Sequence, residues 1–114
     1  MKERTLLRIN TLLEHIDEVL KDTEGVSIKE LDINSVLLRA TCFSIVQIGE
    51  LMVQLEKDLG NKYPDLPWRA SVAMRNLLVH DYGNVNTKIV HSTIELDLPK
   101  LKNDFTRIRN EIAQ

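Results

Sequence analysis

One cysteine, Cys42, is too few for an internal disulfide, so nothing covalent staples this chain. The N-terminus lacks an apolar run flanked by basic residues, which argues against export. The longer apolar stretches are interrupted by charges, which argues against a membrane span and makes a cytoplasmic protein the simplest expectation. A basic excess is missing too. With 15 Lys and Arg against 17 Asp and Glu, the formal charge of −2 argues against a broad face that tracks nucleic-acid phosphates. Internal repeats, low-complexity segments and strand-like alternation are absent. None of His15, His80 and His91 has a Glu three residues before it, which sets aside a di-metal helical bundle.

What remains is a helical pattern within a composition of 43% hydrophobic and 28% charged residues, enough for one domain over residues 1–114. From about Glu3 to Lys21, Leu6, Ile9, Leu13, Ile16 and Leu20 recur at three-to-four spacing with Leu12 and Val19 on the flank, which predicts an amphipathic helix. His15 falls off that stripe and reads as a surface residue. Residues 22–30 read as a loop. The second helix, predicted over Asp32–Leu59, is apolar around most of its circumference and so must be enclosed on several sides, with part of it offered to a homodimer. Arg39, Glu50, Gln54 and Lys57 form its narrow polar stripe. Cys42 reads as a core residue, since no histidine is near it in sequence.

Gly60-Asn61 ends that helix, and a third starts near Pro67, where a missing N–H does no harm. Trp68 at its entrance reads as a core anchor. Asn86-Thr87 caps a fourth helix, which Pro99 either kinks or follows with a fifth carrying Leu101, Phe105, Ile108 and Ile112. The expected fold is therefore all-α, an up-and-down bundle of four to five helices.

The chemistry concentrates in Arg75-Asn76-Leu77-Leu78-Val79-His80-Asp81-Tyr82. At about 100° per residue Asn76 stacks on His80 and Arg75 shares a face with Tyr82, while Arg75 and His80 stand about 140° apart. Arg75 and His80 therefore converge only if the Arg side chain wraps back or the helix loosens near His80. Gly83-Asn84 is suited to ending this helix, which puts His80 in a last turn whose dipole favours the imidazolium. An imidazole can take a proton from a ribose 2′-hydroxyl or give one to a leaving 5′-oxygen. A guanidinium fork can hold phosphoryl oxygens as charge builds. This scheme requires neither a metal nor any other cofactor. The plain alternative is an Arg that pairs with a carboxylate and a His that caps a helix.

The segment Tyr63-Pro64-Asp65-Leu66-Pro67-Trp68, followed by Arg75-Asn76-x3-His80-Asp81-Tyr82, resembles the HepT proteins, the toxin half of HEPN/MNT toxin–antitoxin systems. Ile48-Gly49-Glu50 and Leu98-Pro99-x-Leu101 extend the resemblance over most of the chain. His91 departs from it, standing where an aromatic is expected. The resemblance implies a metal-independent endoribonuclease toxin of a type VII system, with Arg75 and His80 catalytic and Asn76 and Glu50 supporting. The expected products of that reaction are a 2′,3′-cyclic phosphate and a 5′-hydroxyl. The resemblance also implies an RNA substrate, a homodimer that could face two His80 residues across a cleft, and control by a cognate MNT-type nucleotidyltransferase antitoxin that adenylylates Tyr82. Bulky, negatively charged AMP on the Arg75 face would block the cleft and repel RNA. The alternative is a non-catalytic HEPN-like binding module that simply partners such a nucleotidyltransferase.

Overall fold

The helix whose sequence is apolar on most of its circumference is the axle of the structure, a computed structural model that describes residues 2–80 and 84–114, with the backbone alone at 77 and 80. In chain order the elements are α1 (Lys2–Asp22), α2 (Ile28–Ile33), α3 (Ser35–Leu59), α4 (Trp68–His80), α5 (Thr87–Ser92), a π-helical turn (Thr93–Asp97) and α6 (Leu98–Ala113). α1 and α4 pack on α3, and α6 packs on α1. Because α5, the π turn and α6 follow without a break, the described residues form a bundle of five helical segments with no strand.

The core follows the predicted stripes. Ile9, Leu12 and Ile16 of α1 meet Ile45, Met52 and Leu55 of α3 and Phe105 and Ile108 of α6, all buried. Cys42 is among them, and burial pushes its thiol pKa above the ordinary value, so it is a small apolar residue here. Trp68 docks the start of α4 onto this core. Its ring meets that of Phe105 edge-on, with centroids 6.1 Å apart, and its Nε1–H donates to the Tyr63 carbonyl over 3.0 Å. The indole thus has an apolar body buried and its one polar atom satisfied.

The structure corrects the sequence reading in three places. Residues 28–30 are helical: Ser27 caps α2 by accepting from the Glu30 N–H, Glu30 reaches back to the Ser27 N–H, and Asn34 then caps α3, which starts at Ser35 rather than Asp32. That reciprocal pair is a Ser-x-x-Glu capping box that overrides the nearby Gly25 as punctuation. Pro99 opens a helix of its own, the second of its two expected outcomes. It stands in the first turn of α6, where its missing N–H costs nothing, after a π turn in which Leu98 N–H bonds to the Thr93 carbonyl.

His15 is half-buried, with its Nδ1 shielded and unpartnered among the described residues. α3 is enclosed on only part of its surface, since Val36 and Phe43 stay 67% and 62% exposed. His91, the departure from the family pattern, lies with Nε2 3.1 Å from the Val26 carbonyl and 3.7 Å from Glu95, so it ties the 23–26 loop to the C-terminal rod by polar contact.

Candidate active site

Arg75 lies two turns into α4, on the side of that helix that meets α3. The two helices come unusually close there because residue 49 is a glycine. A Cβ built on Gly49 would stand 2.4 Å from the Arg75 Cβ, 3.0 Å from its Cγ and 3.2 Å from the Ser71 carbonyl oxygen. Any side chain at 49 would push α4 away. The root of Arg75 therefore rests directly on the α3 backbone.

The next residue, Glu50, turns toward the guanidinium, and its Oε1 is 3.0 Å from Arg75 Nε. The Arg75 side chain is 23% exposed and Glu50 46%, so the pair opens onto solvent. The Nε–H is shielded but makes no aligned hydrogen bond, so the contact is one of charge at short range rather than a directed bond. Half-exposed pairs of this kind contribute about 0–1 kcal/mol to stability, and orienting Arg75 is the larger consequence.

α4 stays α-helical through His80, its last residue, so the helix does not loosen before it and the backbone separation of about 140° from Arg75 holds. Asn76 is exposed on the neighbouring face and bonds to neither Glu50 nor Arg75. Tyr82, with Asp81 and Gly83, falls outside the described residues, as does the His80 side chain. Of the sequence-derived set, the structure brings Arg75 and Glu50 together. Sequence reasoning named Ile48-Gly49-Glu50 as a motif but did not see that Gly49 makes the approach possible.

Other polar features do not converge here. A mostly apolar cavity of about 300 Å³ sits between α3, α4 and the start of α6, lined by Ile45, Ile48, Met74 and Leu101, and reaches neither Arg75 nor Glu50. The basic residues of α6 are matched locally: Lys100 Nζ lies 3.0 Å from Asp104, Lys102 Nζ lies 2.8 Å from Asp17, and Arg107 lies 3.5 Å from Glu111. Arg109 reaches Asn10 over 3.4 Å. That face is a solvated lattice of polar pairs. Among the described residues no three His, Cys, Asp or Glu side chains converge as a metal ligand set.

Known proteins show the same pattern of similarity. A protein provisionally named an RNase in Methanocaldococcus jannaschii is 29% identical over 101 residues, covering 89% of this chain and 84% of its own length. Another so named in Caldanaerobacter subterraneus subsp. tengcongensis is 30% identical over 97 residues, 85% of this chain and 87% of its own length. A protein provisionally named ribonuclease HepT in Thermococcus cleftensis is 31% identical over 75 residues, 62% of this chain and 68% of its own length. No solved structure matches. The family described as "Ribonuclease HepT-like" matches residues 12–108, which takes in Gly49, Glu50 and the whole Arg75–Tyr82 segment, and the chain belongs to this ribonuclease family.

Proposed function

We propose that the chain is a metal-independent endoribonuclease toxin of a type VII HEPN/MNT toxin–antitoxin pair. The observation that carries the reading is the placement of Arg75: a side chain rooted against Gly49, with its guanidinium beside Glu50 at a pair that opens onto solvent, on the helix that ends at His80. Arg75 stabilises charge on the phosphoryl oxygens and His80 moves protons, leaving a 2′,3′-cyclic phosphate and a 5′-hydroxyl. Asn76, exposed beside Arg75, is available to the substrate.

The exposed line Val36, Ala40 and Phe43 runs along α3 toward Glu50 at helical spacing, which supports a homodimer that brings two Arg75 sites into one cleft. A cognate nucleotidyltransferase antitoxin silences the toxin by adenylylating Tyr82. A second reading, a binding module without catalysis, is favoured by one observation: three of the four cations of α6, Lys100, Lys102 and Arg107, are already paired with carboxylates, which reduces the basic surface that face offers to RNA.

The test is cleavage of total cellular RNA by the purified chain in EDTA, with Arg75→Ala and His80→Ala beside it and the product ends identified. Cyclic phosphate ends, lost in both variants, support the ribonuclease. Intact RNA after incubation with folded protein whose Tyr82 is free of AMP by mass spectrometry supports the binding module.

A further inference from the structure

The ribonuclease reading, on which this inference rests, leaves a proton unassigned. Transesterification needs one group to take the 2′-hydroxyl proton and another to protonate the leaving 5′-oxygen, and Arg75 and His80 offer one titrating group between them. We infer that Glu50 is the general base.

Three features of its placement carry this. Its carboxylate is 46% exposed, so a bound ribose can reach it. It stands 3.0 Å from Arg75 Nε without an aligned hydrogen bond, so its lone pairs are not consumed by the guanidinium. Because Glu50 lies on the Nε side of the guanidinium, the terminal NH2 groups point away from it and can grasp phosphoryl oxygens, so that a phosphate held there carries its ribose toward the neighbouring carboxylate. Among the described residues Arg75 is the charged group that faces Glu50 from α4, while the residues one turn away on α3, Val46, Gln47, Val53 and Gln54, are uncharged. Gly49 makes the juxtaposition possible by letting the root of Arg75 settle beside its neighbour.

In the step so assigned, the Glu50 carboxylate removes the 2′-hydroxyl proton as that oxygen bonds to phosphorus. The bond from phosphorus to the 5′-oxygen breaks, and the departing oxygen takes a proton from the His80 imidazolium. Glu50 is left protonated and His80 neutral, and exchange with water resets both. Each chain then holds a base and an acid of its own, so the chemistry does not need a second His80.

The experiment is the pH dependence of kcat/KM on a defined oligoribonucleotide, using the full chain with unmodified Tyr82 and its Glu50→Gln and Glu50→Asp variants. The wild type should give a bell. Glu50→Gln keeps a polar partner beside Arg75 but cannot accept the proton, so it should fall by about 100-fold or more at neutral pH and lose the low-pH limb. Glu50→Asp should keep that limb at an intermediate rate. A Glu50→Gln enzyme that slows yet retains the low-pH limb would show that Glu50 only positions Arg75 and that the base lies elsewhere, overturning the inference. Wild-type rates in Glu50→Gln would overturn it as well. Absence of cleavage by the wild type would overturn the ribonuclease reading itself, a separate result.

Discussion

Gly49 and Arg75 share a boundary with no room for a methyl group: the missing Cβ of one would lie 2.4 Å from the Cβ of the other. The obstacle is the fixed root of a side chain rather than its flexible tip, so relief requires the helices to part. Gly49→Ala should cost about 1–3 kcal/mol through overpacking, offset by up to about 1 kcal/mol of helix propensity. Cleavage by the folded variant should fall further than that stability change explains. Urea midpoints measured beside cleavage rates check both halves, and wild-type rates in Gly49→Ala would separate Arg75 from its seat.

Phe43 and Val36, seven residues apart on α3, should lie between the protomers of the proposed homodimer. Placing a carboxylate there with Phe43→Glu should turn dimers into monomers in sedimentation equilibrium while leaving the far-ultraviolet circular dichroism unchanged. A wild-type chain that sediments as a monomer at every concentration would remove the dimer from the reading.

Phe105 is fully buried against Trp68, and Phe105→Ala should destabilise the fold by about 3–5 kcal/mol. Trp68 is the lone tryptophan, so its fluorescence should shift red in the folded variant as the indole loses its edge-on neighbour.

Tyr63 ties the segment before α4 to the end of α6 by donating its hydroxyl to Glu111. That bond first, then the Arg107 charge, hold the Glu111 carboxyl below its ordinary 4.5, and the same bond holds the Tyr63 phenol above its ordinary 10.0. The depressed carboxyl contributes stability present above pH 4.5 and lost as pH falls through its folded value. The raised phenol contributes stability present below pH 10.0 and lost as pH rises through its folded value. Tyr63→Phe should therefore melt below the wild type between these limits, with the gap closing outside them. Equal melting curves at neutral pH would show that the bond carries no stability.

The long helices were legible because their apolar residues repeat at the helical period over many turns, and α1, the buried face of α3 and α6 pack as that period requires. α2 was hidden by its length, since six residues give periodicity nothing to work on and the one usable signal was Ser27 with Glu30. The π turn has no residue signature at all. At the site, Arg75 and Glu50 were readable as chemistry, but their meeting depends on how closely two helices approach, which is set by the smallness of Gly49 and visible only in three dimensions. Whether α3 is covered all round depends on a second chain, which one sequence cannot display.

The internal pairing of Lys100, Lys102 and Arg107 also bears on how the chain would meet a polyanion. With these three cations already paired, that face would neutralise few RNA phosphates and release few of the cations condensed on the strand, each contacted phosphate contributing about −0.7 to the slope of log K against log salt on a single strand. A shallow slope means brief encounters, weakly drawn from a distance. Choice among transcripts would then fall to the rate of cutting once a strand is seated, and abundance rather than affinity would decide which RNAs are met first.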